Sequence, residues 1–249
     1  LPITNKEIIN IYKNNKRLLL LLFEHKAISP EESFLNEITN IKSYDHKLSF
    51  YLFSEIKNFI LEYQRHIIEY KIKQEFNESI ETFEYKCKQG ENDSPICKLI
   101  RQDSIEEFVS YVNRTNFPLN GTIRADFYES NAFLIDNEPS LIEYAYFYGS
   151  IQIINYLHNN NVEIHPKIWL YAIHSNNAEL ISLLEEKKIC PNYNECLRES
   201  IKCHHNELAD YFMQQITSEN EQNEEESYDD ENIEQYVVEF CDCYYYPSD

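Results

Sequence analysis

The chain has 249 residues, 43% of them hydrophobic, with 22 basic against 43 acidic side chains and a formal net charge of −21. That length bounds it to one or two domains with a real core, and an acidic chain without a basic stripe argues against nucleic acid or an anionic membrane surface as partner. With only 3 glycines and 8 prolines, helices are favoured over a glycine-turned β-sandwich.

Residues 1 to 90 read as an N-terminal helical region. Thr4 or Asn5 caps a helix with Ile8, Ile9 and Tyr12 on one face, running into the Leu18 to Phe23 cluster. That run is only six apolar residues, too short for a membrane span. Ser29-Pro30-Glu31-Glu32 carries the start signal of a capping box, with Ser29 as N-cap and Pro30 at the first helical position. Leu48, Leu52, Ile56, Phe59, Ile60, Tyr63, Ile67 and Tyr70 then recur every three or four residues, which predicts one long helix. Its widened stripe favours packing against the repeats downstream over recognition of a partner helix. Ser79 to Lys88, ending before Gly90, gives one more short helix.

The same unit then recurs. With Ala145 set over Ala172, an offset of 27 residues, Gly149 falls on Asn176, Ile153-Ile154 on Leu180-Ile181 and Leu157 on Leu184. Each copy reads as two short amphipathic helices joined at a tight turn, such as Tyr148-Gly149-Ser150. Downstream, Cys196 to Phe212 continues the pattern with Ser200 over Ala172, and upstream Ser94-Pro95-Ile96 to Val109 fits at an offset of 46. One such pair cannot bury its own apolar face, whereas stacked neighbours can. The 113–139 segment is an insertion between the first two copies, expected to form short helical turns packed on the stack through anchors such as Phe127, Tyr128 and Phe133, with a degenerate repeat as the alternative.

These residues resemble ankyrin repeats. Ser94-Pro95-Ile96 keeps the repeat's opening and Gly149 its turn, although spacings of 27 and 28 are shorter than about 33. More narrowly, LIEYAYFYGSIQIINYL and Ile168-Trp169-Leu170-Tyr171-Ala172-Ile173-His174-Ser175 resemble an ankyrin-associated domain of unknown function in a large protist family of ankyrin-repeat proteins. The resemblance covers residues 91 to 216 and implies a binding role rather than a reaction. Transferred position by position, the ankyrin concave face implies Lys98, Arg101, Gln102, Tyr144, Phe147, Tyr148, Tyr171, His174, Ser175, Glu199, Lys202 and Cys203 as partner-facing residues. Large aromatics near the middle of such a face are the residue types that dominate binding energies. The alternative is that Tyr144, Phe147 and Tyr171 pack under the N-terminal helices as core.

Chemistry is sparse. Glycines at 90, 121 and 149 make no phosphate-cradling loop. Ser175 beside His174 is not a nucleophile with its base, because adjacent helix residues point about 100° apart. Cys196, Cys203, His204 and His205 are zinc-ligand types, but their spacing matches no closed finger, and buried small residues are the plainer reading of the cysteines. Seven scattered cysteines read as reduced thiols of a cytosolic protein. The sequons at Asn77, Asn113 and Asn120 are expected by chance in so Asn-rich a chain. From Ser218 to Glu234 nine carboxylates stand with no basic residue, which predicts a disordered acidic tail over 217–249.

The expectation is therefore an all-α protein with three parts: an N-terminal helical region (1–90), a short ankyrin-like helical-hairpin solenoid (91–216) and an acidic tail (217–249). Its expected role is non-catalytic protein binding in the cytoplasm, with no cofactor, metal, small-molecule substrate, nucleic acid or membrane. The alternatives are a structural or truncated repeat protein whose groove its own N-terminal helices cover, and an enzyme with an unrecognised site.

Overall fold

A computed structural model describes residues 4–12, 15–39 and 46–222. Among these the chain is all-helical, with sixteen helices, no strand and one isolated antiparallel bridge, Thr122 with Ser140. None of the helices is long and apolar enough to cross a membrane. The chain forms two compact units, the first from residues 1–95 with 124–138, the second from 96–123 with Pro139 onward.

The first unit contains α1 (Asn5–Tyr12), α2 (Lys16–Glu24), α3 (Glu32–Ile38), α4 (His46–Tyr51), α5 (Phe53–Ile56), α6 (Glu62–Phe76) and α7 (Ile80–Gln89). Thr4 opens α1 by accepting from Glu7 N–H at 3.3 Å. Ser79 opens α7 by accepting from Thr82 N–H at 3.2 Å, and Gly90 ends it in the left-handed region at φ 67°. At α3 the expected cap is displaced: the helix starts at Glu32 with Glu31 in the capping position and no side-chain cap. The expected long helix is broken into α4, α5 and α6. Phe50, Tyr51, Leu52 and Phe53 are all buried, and four consecutive residues span the whole circumference of a straight helix, so the backbone bends at Leu52 to turn them all inward. On α6 the buried residues are Ile68 and Ile72, while Tyr63 (61%) and Tyr70 (65%) stay exposed, which corrects the expectation that this stripe is packed.

The 124–138 segment belongs to this first unit, a correction to its expected place on the stack. Phe127 sits 4.8 Å from the ring of Phe76 and 5.7 Å from that of Phe83, and Lys16 Nζ donates to its carbonyl at 3.1 Å. The Asp126 carboxylate accepts from the N–H groups of Asp93, Tyr128 and Glu129 at 2.7 to 2.9 Å, and Ser130 N–H donates to Gly90 O at 3.1 Å. α10 (Ala132–Asn137) follows, opened by Asn131, which accepts from Leu134 N–H. Burial pushes the Glu129 carboxyl above its usual range.

The second unit is four helix pairs: α8 (Pro95–Arg101) with α9 (Ile105–Thr115), α11 (Leu141–Tyr148) with α12 (Ile151–Asn159), α13 (Ile168–Ser175) with α14 (Ala178–Glu186), and α15 (Tyr193–Lys202) with α16 (Asn206–Gln222). Pro95 takes the first position of α8, where its missing N–H is harmless. Each pair turns on one left-handed residue: Asp103 (φ 48°), Gly149 (φ 71°), Asn176 (φ 48°) and His204 (φ 58°). The residue after the turn donates back across it in three pairs, from Ser104 to Leu99 O (3.1 Å), Ser150 to Ala145 O (3.0 Å) and His205 to Ser200 O (2.9 Å), the six-to-one bond of a Schellman end. In the remaining pair, α13 with α14, the Ser175 hydroxyl donates to Ala172 O instead, at 2.7 Å. The second helices of the first three pairs end alike, on left-handed Asn116, Asn161 and Lys188, with the next N–H returning to Val112, Leu157 and Leu184 at 3.1 to 3.2 Å.

Within this unit α11 packs on α13 and α13 on α15, while each of α11, α13 and α15 packs on the helix that follows it, and α12 packs on α9. Ala145, Ala172 and Ser200 are all fully buried. Ser140 closes a capping box at the start of α11, its hydroxyl accepting from Glu143 N–H while the Glu143 carboxylate takes the Ser140 N–H at 2.8 Å. The third pair is tied to the loop that follows it by Trp169 Nε1, which donates to Ile189 O at 2.8 Å. The helix α16 continues through Gln222, so Ser218 to Gln222, expected in the disordered tail, are helical. The rest of that tail lies outside the described residues.

Candidate functional site

The first helices of the four pairs carry a continuous row of contacting side chains, built mostly from the residues expected on a concave face. It starts on α8, where Arg101 Nη1 donates to the Tyr144 hydroxyl at 2.9 Å and the guanidinium carbon Cζ lies 5.8 Å from the Tyr148 ring centroid. On α11, Tyr148 lies 4.8 Å from Tyr144 and 5.0 Å from Phe147. These contacts join residues four apart and one apart on the same short helix. Phe147 then stacks on the His174 imidazole of α13, centroids 4.8 Å apart and planes 28° apart.

At α15 the row becomes polar. His174 Nε2 meets the Glu199 carboxylate at 2.9 Å, and Cys203 Sγ lies 3.5 Å from His174 Nδ1. The other Glu199 oxygen accepts from Lys202 Nζ at 3.2 Å. An imidazole that donates Nε2–H to a carboxylate offers Nδ1 as an acceptor for the thiol, so the three groups satisfy one another. Burial opposes ionisation of Glu199, but the His174 hydrogen bond and the Lys202 charge outweigh it and hold the carboxyl below its usual range. Burial, reinforced by the Glu199 charge, pushes the Cys203 thiol up to about 12.

The expected site residues divide by depth. Tyr144 (1% exposed) and Tyr171 (3%) are core residues of this unit rather than surface anchors, and burial raises both phenols well above their ordinary value. Phe147, Tyr148, His174, Ser175, Arg101 and Cys203 are half-buried, while Lys98, Gln102 and Lys202 are exposed. Ser175 uses its hydroxyl at the helix end and has none to spare for His174 chemistry. Of the four zinc-type residues weighed together, Cys196 is buried, and only Cys203 joins the cluster with His174 and Glu199.

The sequence placed these three residues on one face but not in mutual contact. The signal was present in the 28-residue offset, which sets His174 opposite Lys202, flanked on the helix surface by Glu199 three residues back and Cys203 one residue on. Comparison with protein-family profiles, with curated proteins and with solved structures gives no match.

Proposed function

We propose that the chain is a non-catalytic protein-binding module, and that its second unit is a short ankyrin-like solenoid docking a partner on the exposed side of this row. The observation that carries the reading is the spacing of the left-handed turn residues: 46 positions from Asp103 to Gly149, 27 to Asn176 and 28 to His204, the same offsets at which the side-chain pattern recurs. Stacked hairpins of this kind bring equivalent positions of successive first helices into one surface, here Lys98, Arg101, Phe147, Tyr148, His174 and Lys202. Tyr144 and Tyr171 serve as the supports beneath it.

A cysteine, a histidine and a carboxylate in contact also invite an enzymatic reading. The half-buried Cys203 thiol speaks against it, because a nucleophilic cysteine needs a depressed pKa and this one is pushed the other way. The burial of Tyr144 and Tyr171 favours a second reading, in which this face is structural core. The test is the Phe147→Ala/Tyr148→Ala double variant of the full chain, used to capture partners from extract of the source cells after chemical crosslinking. Unchanged melting with loss of a captured protein supports docking. A large drop in melting with the same captured proteins supports the structural reading.

A further inference from the structure

We propose that His174, Glu199 and Cys203 bind a zinc-class divalent transition metal, one ligand atom from each, with a fourth position left for water or a partner's side chain. The inference goes beyond the docking role and rests on local geometry alone. A thiolate, an imidazole and a carboxylate together suit a borderline-soft ion and not calcium or magnesium, which take oxygen.

Tetrahedral zinc, with bonds of about 2.0–2.3 Å, sets its ligand atoms roughly 3.4 to 3.6 Å apart. With His174 Nε2 as ligand, the distance to Cys203 Sγ is 3.8 Å and to Glu199 Oε1 2.9 Å, and the ligand atoms all lie within 4.8 Å of one another. The first two edges bracket the tetrahedral value within about half an ångström, and the Cys203–Glu199 edge, at most 4.8 Å, shortens when the ion draws the thiolate in.

The ligands are also supported. Glu199 and Cys203, the C-cap residue of α15, stand four apart, one turn along, so both project from one face at the helix end. The Phe147 ring stacked on His174 fixes the imidazole plane, and Lys202 holds the second carboxylate oxygen. Three protein ligands with a fourth position left to water is an open zinc geometry, distinct from closed four-ligand structural sites.

Binding at Nε2 breaks the His174–Glu199 hydrogen bond. The imidazole proton moves to Nδ1, the Cys203 thiol loses its proton to solvent, and one proton is released per metal bound. Affinity therefore rises with pH, because the ion takes the cysteine as its thiolate.

The experiment uses full-length protein stripped with chelator and titrated with cobalt(II), read by thiolate-to-cobalt charge-transfer absorbance and by the intense visible bands of tetrahedral cobalt. The background carries Cys190→Ser, Cys241→Ser and Cys243→Ser, which removes an exposed cysteine and the Cys241-Asp242-Cys243 pair as competing ligands. The expected result is one equivalent of cobalt bound in that background, displaced by zinc, with the charge-transfer band abolished by Cys203→Ser and binding weakened at least tenfold by His174→Gln. Circular dichroism on each variant separates loss of ligand from loss of fold, and if one unfolds the other decides. Absence of the bands in the background protein, or bands that survive Cys203→Ser, overturns the proposal.

Discussion

Asp103 accepts from the backbone N–H groups of both Gln152 and Ile153, one to each carboxylate oxygen at 3.0 Å. The turn residue of one helix pair thus caps α12 of the next, and the Ser150 hydroxyl reaches back to Ile100 O at 2.6 Å. The two pairs exchange capping groups. Asp103→Ala should lower the stability of the second unit by about 2–3 kcal/mol, from the lost helix cap and from Ala tolerating the left-handed backbone at φ 48° less well than Asp does. Asp103→Asn should lose less, since its amide oxygen still accepts one N–H. Urea midpoints for the two variants check the order.

Gly149 tests the turn geometry in isolation. A Cβ placed there would meet Ser175 Cβ at 3.8 Å and Asn177 Nδ2 at 3.9 Å, ordinary contact, so the penalty of Gly149→Ala is backbone strain at φ 71° alone. The expected loss is about 1–2 kcal/mol, with Gly149→Asn nearer to wild type because Asn tolerates this region. Calorimetric melting of the two variants measures the difference.

Tyr144→Ala and Tyr171→Ala should each destabilise by about 3–5 kcal/mol, as large buried aromatics do. Tyr144→Phe keeps the ring and removes the acceptor of Arg101, so its expected loss is about 0.5–1.5 kcal/mol. Similar melting for Tyr144→Ala and wild type would return that residue to the surface.

Acid should act through His158. Burial first, and then the Lys187 charge, lowers this imidazole from 6.5 to about 4, and its Nε2 lies 3.3 Å from the Tyr146 hydroxyl. The unfolded chain takes up this proton before the folded one does, so stability is full above about pH 6.5 and is lost as pH falls toward 4. Glu199, held below its usual range in the folded state, extends the loss below about pH 4.3, the ordinary carboxylate value. Melting temperature against pH should fall across the upper window in wild type and flatten there in His158→Gln.

Local signals in the sequence located individual helices well and packed surfaces poorly. Ser79 with Gly90, and Pro95 at the first position of α8, are boundaries that capping chemistry dictates from the chain alone. The stretch from Leu48 to Tyr70 misled because its three-to-four periodicity is also satisfied by short helices bent at Leu52 and at the extended residue Leu61, φ −65°, ψ 147°. At Ser29 the box pattern was present, but the chain enters the helix two residues later. For the row of side chains, periodicity assigned the helix face but not its depth. Nothing in residues 140–175 distinguishes buried Tyr144 from half-buried Phe147, because depth depends on what covers each. The His174–Glu199–Cys203 cluster depends on lateral register between two helices separated by a loop, which emerges only after the offset is applied to side chains and not just to turns.

The first unit borrows fifteen residues, 124–138, from the middle of the second, and this governs how the protein can be dissected. A fragment cut at residue 95 would strip the Phe76 and Phe83 rings of Phe127, and one beginning at 96 would carry Phe127 and Tyr128 without their socket. Clean separation calls for a loop-out deletion that splices Ile123 to Pro139. The backbone is already prepared for that splice, since Ile123 N–H donates to Pro139 O at 2.7 Å. Limited proteolysis or simple truncation would yield sticky halves whose insolubility says nothing about whether either unit is autonomous.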